Sequence, residues 1–292
     1  MNSTPQRLTV DAEQVHRLVR DQFPQWGDLP VRPVASSGWD NRTFHLGDAM
    51  LVRLPSAAEY AAAVDKEHRW LPVFAAHLPL PIPVPLAKGK PGADYPHQWS
   101  IYQWLDGEPA SVDRIADSSR FAADLATFLL ALRSVDTADG PRPGQHNWFR
   151  GGPVRTYDES TRSALAKLDG HIDVDLAREI WQTALDARWD GVESWFHGDV
   201  AQGNLLVDNG ELAAVIDFGT CGVGDPACDL AVAWTLLTAD GRRTFRERLL
   251  VDDETWARGR GWALWKMLLE RARGGEAAVD AQRVLDEIFA EY

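Results

Sequence analysis

The first hundred residues alternate short apolar runs with turn residues, a pattern that predicts several short strands. One early segment differs, because residues 9–22 place four apolar side chains at helical spacing. We therefore expect an amphipathic helix there that covers an N-terminal sheet. The strands are predicted within 31–44 on both sides of a small-residue turn, and at 49–54, 84–87 and 97–105, with a second, Ala-rich helix over 57–77.

After Gly107 the apolar spacing changes from that of strands to that of helices. This change predicts a boundary between an N-terminal domain, residues 1–105, and a C-terminal domain, residues 106–292. Residues 137–157 are rich in Pro, Gly and Arg and are predicted to form a loop. The helices predicted for the second domain are 117–135, 174–188, 226–239, 254–271 and 276–290.

A β-hairpin is predicted over 204–216, where the turn residues 208–210 separate two short apolar runs. Such a hairpin would leave Asp199 and Asn204 at one end of a loop. It would also bring Asp217 back beside them. Three oxygen-bearing side chains would then meet at one point.

This grouping suits phosphoryl transfer, in which one carboxylate orients the attacking hydroxyl while an amide and a second carboxylate hold magnesium against nucleotide phosphates. The chain carries His197-Gly198-Asp199, then Asn204 five positions after the aspartate, and then Asp217-Phe218-Gly219. Protein kinases carry H-R-D-x-x-x-x-N and D-F-G in the same order. An ordinary polar hairpin is the alternative, but the ordered set is far rarer by chance than one Asp/Gly string.

The segments HGDVAQGN, IDFG and GDPACDLA resemble the aminoglycoside phosphotransferase family, relatives of protein kinases that phosphorylate small molecules. The resemblance extends from Ser36 to about Glu270. It implies an α+β, bilobal, protein-kinase-like fold: an N-terminal antiparallel sheet lobe with a covering helix, and a larger, mainly helical C-terminal lobe. ATP or GTP and Mg²⁺ are the implied cofactors. The implied roles are Asp199 as catalytic base, Asn204 and Asp217 as magnesium ligands, and His197 and Asp229 as supports of the catalytic loop.

The same resemblance implies nucleotide-binding residues in the N-terminal lobe. The turn at Ser37 and Gly38 occupies the place of the kinase glycine-rich loop, with a plain hairpin turn as the alternative. The last predicted strand of the lobe becomes the hinge, so that Gln103, Trp104 and Leu105 would meet the purine edge. An ordinary sheet strand is the alternative there.

Arg53 stands where kinases have the lysine of V-A-I-K. Arginine stays charged and can hold phosphate through two donors, but it is longer and forked, so the two residues are not interchangeable. Either Arg53 does the task of that lysine, as in macrolide kinases that look to have arginine here, or the chain is a weakened or non-catalytic relative. Glu67 is the predicted partner of Arg53, although Lys66 and Arg69 lie beside it and a solvated helix charge is the alternative.

The net charge of −13 over 292 residues argues against binding to nucleic acid or to anionic membranes. Residues 191–292 hold 10 basic and 18 acidic residues, which would attract a cationic substrate. Acidic helix faces kept for solubility are the alternative. Glu270 is a candidate to bind a substrate amine, with a surface salt bridge as its other interpretation.

Cys221 and Cys228 lie seven positions apart with no nearby His or Cys pair, which argues against a zinc site. They are expected to be two small buried or semi-buried thiols. The sequence shows neither a signal peptide nor an apolar run long enough for a membrane span. We therefore expect a cytoplasmic protein, monomeric or homodimeric.

A small hydroxylated molecule is expected as the acceptor, because Asp217 is only eight positions from Asp225 and A-P-E is absent, which leaves no peptide-docking platform. The sequence thus predicts a nucleotide-dependent O-phosphotransferase acting on an aminoglycoside or a related antibiotic. A macrolide kinase and a kinase of a metabolite alcohol, such as an amino alcohol or a sugar, are the alternatives among enzymes. A nucleotide-binding pseudokinase is the alternative from another class.

Overall fold

The computed structural model describes residues 7–35, 38 and 40–292. The chain divides into two compact units. The first comprises the described residues up to Asp106 together with Ala214–Gly219, and the second comprises Gly107–Ala213 and Thr220–Tyr292. Six residues, the last two of the central hairpin and the four that follow it, therefore belong with the N-terminal part of the chain.

The first unit is built on a five-stranded sheet in which every neighbouring pair of strands is antiparallel. The spatial order is β1-β2-β3-β5-β4, so the proline-flanked strand β4 lies at an edge, where a missing backbone N–H is tolerated. The strands are β1 Val31–Pro33, β2 Asn41–Leu46, β3 Met50–Pro55, β4 Pro85–Gly89 and β5 Trp99–Gln103.

Helix α1 (Ala12–Gln22) covers this sheet, as its apolar stripe predicts. Asp11 caps it by accepting from the backbone N–H of Gln14 at 2.7 Å. Val15, Leu18 and Val19 are buried in one cluster with apolar side chains of the strands. Helix α2 (Ala58–Ala75) follows β3 and buries Glu67 along with its apolar side chains.

The second unit is mainly helical. Asp117 and Asp173 cap the helices that begin at Ser118 and Val174, because each aspartate accepts from backbone N–H groups of the first turn. The helices are α3 Ser118–Arg133, α4 Asp158–Lys167, α5 Val174–Asp186, α6 Val232–Thr235, α7 Ala239–Leu249, α8 Asp253–Arg273 and α9 Ala277–Glu291, and the short strands are β6 Glu108–Pro109, β7 Ser194–Phe196, β8 Leu205–Asp208, β9 Glu211–Val215 and β10 Gly222–Gly224.

The predicted hairpin is present as β8 and β9. Asn209 and Gly210 connect the two strands with φ of 49° and 84°. Positive φ at both central residues is the requirement of a type I′ turn, which the Asn-Gly pair meets with little strain. The hairpin therefore follows directly from its sequence.

The single helix predicted over 226–239 is wrong. A 3-10 segment, Pro226–Ala231, precedes the one-turn helix α6, and a new helix, α7, begins after Thr238 accepts from the N–H of Gly241. Asp225 and Thr238 each accept a backbone N–H at the start of a helical segment, and these two caps divide the apolar run. The sequence pattern indicates neither α4 nor α7. For α7 the reason is that the helix buries only two large apolar side chains, Phe245 and Leu249.

The antiparallel N-terminal sheet with its covering helix and the mainly helical C-terminal region confirm the predicted fold class. Both cysteines are buried thiols outside any disulfide, as predicted. In the described part of the chain, no helix combines the length and the apolarity that crossing a membrane demands.

Candidate active site

Arg53 holds two carboxylates within the first unit. Its Nη1 lies 3.3 Å from Glu67 Oε1, and its Nη2 lies 2.9 Å from Asp217 Oδ1. The predicted pair with Glu67 is therefore present, and the alternative that Glu67 is a solvated charge is wrong, because that residue is only 4% exposed. Burial lowers the pKa of Arg53, but the two carboxylates outweigh it, so the net pKa is raised and the guanidinium stays charged.

Tyr102 completes this cluster from strand β5. Its hydroxyl donates to Glu67 Oε2, the carboxylate oxygen that Arg53 does not contact. Burial, with the nearby Glu67 charge, raises the pKa of Tyr102 well above its ordinary value, so the hydroxyl remains a donor. Glu67 is thus fixed at both oxygens, which fixes one arm of the Arg53 guanidinium in turn.

The segment Ala214–Gly219 makes four contacts with the rest of the first unit. Val215 N–H donates to the carbonyl of Pro81 at 3.1 Å, and Lys66 Nζ donates to the carbonyl of Gly219 at 2.6 Å. The ring of Phe218 lies 5.9 Å from that of Phe74 on α2, and Asp217 meets Arg53. Asp217 has a left-handed φ of 66°, a conformation that aspartate tolerates better than most residues.

The predicted hinge residues differ in what their backbone can still bind. Gln103 N–H donates to the carbonyl of Val84, and Trp104 N–H donates to that of Ala49. The backbone N–H of Leu105 makes no hydrogen bond with the described residues. Among the three, only Leu105 has a backbone donor without a partner among the described residues.

The small-residue turn is only partly described. Ser37, predicted to approach phosphate, lies outside the described residues. Gly38 is exposed, and a Cβ added there would meet no heavy atom of the described residues within 4 Å. Its glycine is thus not required by packing.

In the second unit, Asp229 holds the backbone of the loop that carries Asp199. Its Oδ2 accepts from His197 N–H at 2.9 Å and its Oδ1 accepts from Gly198 N–H at 2.7 Å. Asp229 is 1% exposed, and burial raises its pKa even though these N–H groups act in the opposite direction. The brace is therefore a buried carboxylate that accepts two backbone donors.

Gly198 is needed for this loop. Its φ is 87°, and an added Cβ would lie 2.8 Å from the carbonyl oxygen of Thr220. Thr220 Oγ1 donates to the carbonyl of His197 at 3.0 Å. Only glycine allows this close backbone approach without moving a neighbour.

Asp199 is half-buried, and its two carboxylate oxygens have different donors. Lys266 Nζ lies 3.1 Å from Oδ1, and Asn204 Nδ2 lies 3.0 Å from Oδ2. Burial acts to raise the pKa of Asp199, but Lys266, with smaller effects from Arg150 and His197, outweighs it and lowers the net pKa. Asp199 is therefore an ionised carboxylate in a fixed orientation.

Asn204 and His197 both orient Asp199. Asn204 Nδ2 also donates to the backbone carbonyl of Asp199 at 2.9 Å, and Asp199 N–H donates to His197 Nδ1 at 3.2 Å. His197 is buried, and its backbone N–H, its Nδ1 and its carbonyl oxygen each take part in a hydrogen bond. These hydrogen bonds are the ones expected of a residue that supports the loop carrying Asp199.

The described residues contain no group of three or more His, Cys, Asp or Glu side chains able to hold a metal ion. The two predicted magnesium ligands each keep an oxygen free of hydrogen bonds with the described residues, Oδ1 of Asn204 and Oδ2 of Asp217. Amide and carboxylate oxygens are the donors that magnesium prefers, so this donor set fits the ion.

Sequence reasoning missed Lys266 and Arg150, the two cations beside Asp199. Lys266 is a lone lysine in the apolar run GWALWKMLL, on the same face of α8 as Trp262 and Trp265, so this isolated charge was a usable signal. Arg150 stands in the loop before α4, where nothing in the pattern marks it. Glu270, a candidate for binding a substrate amine, forms a salt bridge with Arg273 on α8, which is its other interpretation.

Many solved structures share this fold, among them the two described next. The GDP complex of wild-type aminoglycoside 2'-phosphotransferase-IIIa aligns with a TM-score of 0.74 at 16% identity, covering 97% of this chain and 99% of that one. The apoenzyme of macrolide 2'-phosphotransferase MphH from Brachybacterium faecium aligns with a TM-score of 0.60 at 21% identity, covering 93% and 96%. The fold is therefore that of the kinase-like small-molecule phosphotransferases.

The model of the phosphotransferase enzyme family, APH, matches residues 31–262, and the chain belongs to that family. A relative in Bacillus subtilis (strain 168), the uncharacterized protein YcbJ, is 27% identical over 200 residues. The match covers 66% of this chain and spans 60% of the length of that relative.

Proposed function

We propose that the protein transfers the γ-phosphate of ATP or GTP to a hydroxyl group of a small molecule. The observation that supports this most directly is the state of Asp199, an ionised carboxylate held by Lys266 and Asn204 in a loop braced by Asp229. A base for a hydroxyl proton must be ionised, oriented and reachable, and Asp199 has these properties.

In the proposed reaction, the acceptor oxygen forms a bond to the γ-phosphorus while the bond from phosphorus to the β–γ bridging oxygen breaks. The electron pair of that bond leaves with the nucleoside diphosphate. The hydroxyl proton passes to a carboxylate oxygen of Asp199. The products are a phosphate monoester and ADP or GDP.

The nucleotide is proposed to use residues of the first unit. Arg53, kept in place by Glu67, would hold its phosphates, and the free N–H of Leu105 would meet the base beside Gln103 and Trp104. Ser37 and Gly38 stay predicted phosphate contacts.

Asn204 and Asp217 are proposed to hold magnesium through their free oxygens. When bound, the ion would neutralise charge on the nucleotide phosphates. His197 and Asp229 would keep the loop in shape, as their hydrogen bonds indicate.

Aminoglycosides are the acceptors predicted from the sequence, and the names of the two similar structures add support for aminoglycosides and macrolides. Metabolite alcohols are the further acceptor class to be assayed. A cytoplasmic location and a monomeric or homodimeric state stay predictions.

A magnesium-dependent phosphotransfer assay tests the proposal, with ATP and GTP separately and with aminoglycosides, macrolides and simple amino alcohols as acceptors. Asp199→Asn should reduce turnover by roughly 10²- to 10⁴-fold, the usual contribution of a general base. The affinity for nucleotide should change little. Unchanged turnover in that variant would contradict the mechanism.

Arg53 in place of the expected lysine is the observation that favours the alternative, a nucleotide-binding pseudokinase. The same assay separates the two functions. Nucleotide binding without phosphotransfer to any acceptor would support the pseudokinase, whereas turnover that depends on Asp199 would exclude it.

A further inference from the structure

Arg150 is a cation without a carboxylate partner in the described part of the chain. Its Nε donates to the carbonyl of Gly198 at 3.0 Å, and its Nη1 lies 3.3 Å from the hydroxyl of Tyr157. Both acceptors are neutral, so they orient the guanidinium without balancing its charge. Nη2 makes no hydrogen bond with the described residues.

Aromatic rings fix the same guanidinium. Its Cζ lies 4.9 Å from the ring centroid of Trp265, 5.3 Å from that of Trp262 and 5.9 Å from that of Tyr157. Stacking of this kind suits arginine, whose planar group is weakly hydrated. Arg150 is thus half-buried at a defined position, and both its positive charge and its Nη2 donors lack a partner among the described residues.

Arg150 lines a recess of the second unit that also contains Asp199 and Lys266. Lys266 is paired with Asp199, so Arg150 is the surplus charge among the described side chains that line the recess. Trp262 lines it as well, and its buried Nε1–H has no acceptor among the described residues. A buried N–H donor without a partner is rare in proteins, so the described residues leave one polar group of this tryptophan unsatisfied.

We propose, on the basis of the phosphotransferase function proposed above, that the acceptor is a hydroxy acid whose carboxylate binds Arg150 while its hydroxyl meets Asp199. A planar carboxylate matches the donor geometry of a guanidinium. The apolar part of the acceptor would lie on the tryptophan side chains of the recess.

This acceptor class differs from the cationic one that the overall charge suggests. The chain as a whole carries −13, but the recess beside Asp199 presents two cations and one carboxylate among its described lining residues. At contact distance, local charges outweigh a screened long-range field. An ammonium group brought to Asp199 would face both Lys266 and Arg150.

Two matched sets of acceptors test the proposal, and within each set only one terminal group changes, from anionic to neutral to cationic. The aromatic set is 4-(hydroxymethyl)benzoate, 4-(hydroxymethyl)benzamide and 4-(hydroxymethyl)benzylamine. The aliphatic set is 6-hydroxyhexanoate, 6-hydroxyhexanamide and 6-aminohexan-1-ol. Both kcat/KM for magnesium-dependent phosphotransfer and binding by calorimetry are measured. The acid of at least one set should exceed its amide by roughly 10- to 100-fold, the range for one charge-assisted hydrogen-bonded pair, and the amine should be poorest.

Arg150→Gln should remove the preference for the acid, so that the acid and the amide of each set have similar kcat/KM values in this variant. Arg260→Gln is the matched control, because Arg260 also stacks on aromatic rings, 5.7 Å from Trp234 and 5.2 Å from Tyr292, but is paired with Glu291. That variant should keep the acid preference. Thermal melting of both variants checks that folding is intact.

Two results would overturn the inference: an amide or amine that equals its acid in both sets, in binding and in turnover, or an equal loss for all acceptors in Arg150→Gln. The last would mean that Arg150 acts on the transferred phosphoryl group. Phosphotransfer without acid preference would contradict this inference but agree with the proposed function. Acid binding that depends on Arg150, without any phosphotransfer, would contradict the proposed function and would leave Arg150 as a carboxylate-binding residue only.

Discussion

Arg53 Nη2 lies 2.9 Å from Asp217 Oδ1, while the other arm of the same guanidinium holds Glu67. A lysine has one terminal nitrogen and cannot occupy both positions at once. The arginine therefore links the predicted magnesium ligand to the buried glutamate of α2. This arrangement gives the departure from the kinase lysine a structural consequence of its own.

Arg53→Lys should weaken nucleotide binding by about 10-fold, because one charge-assisted contact is lost. Arg53→Met should weaken it further and destabilise the fold by roughly 3 kcal/mol, since Glu67 would stay buried without its cation. Calorimetry with ATP and GTP and chemical denaturation measure the two effects. Arg32→Lys is the control, as Arg32 forms an exposed pair with Asp48. Equal nucleotide affinity in wild type and Arg53→Met would refute the assigned role.

Lys266→Met should move the acidic limb of the pH–rate profile to higher pH. Lys266 lowers the pKa of Asp199, so its removal leaves burial as the main influence, and burial raises that pKa. A base with a higher pKa becomes protonated at a higher pH, and activity is lost earlier on acidification. Profiles of kcat/KM at fixed magnesium measure this. The exposed Lys167→Met should leave the limb in place; an unmoved limb in Lys266→Met would exclude control of Asp199 by this lysine.

Gly198→Ala should destabilise the protein by about 2–3 kcal/mol, because alanine is strained at φ 87° and its Cβ would meet the Thr220 carbonyl at 2.8 Å. Gly203→Ala is a matched control in the same loop, since an added Cβ there meets nothing within 4 Å. Urea denaturation of the two variants compares them. Similar stabilities would show that the loop adjusts freely at Gly198.

Arg258→Leu should cost about 3–5 kcal/mol of stability. Its Nε lies 2.7 Å from Asp225 Oδ2, and both side chains are nearly inaccessible, so the variant leaves a buried carboxylate without its cation. Arg178→Leu removes an exposed pair with Asp175 and should cost under about 1 kcal/mol. Denaturation curves give both values, and a small effect at Arg258 would mean that water reaches Asp225.

The sequence determined those features whose causes are local. Asp11 and Asp173 cap the helices that follow them, and Asn209-Gly210 supplies the two positive φ angles of the central hairpin. The ordered spacing of the motif residues was enough to select Asp199, Asn204 and Asp217 as candidates. Their roles stay proposals, but their selection required no coordinates.

Only the tertiary structure decided which distant side chains surround Asp199. Lys266 is 67 positions along the chain from it, and Arg150 comes from an irregular loop whose sequence predicts no contact. The segment Ala214–Gly219 likewise joins the first unit through contacts with Pro81, Lys66 and Phe74. Capping, turn chemistry and periodicity act within a few residues, whereas the charge around a carboxylate is set by whichever side chains the packed helices and loops bring near it.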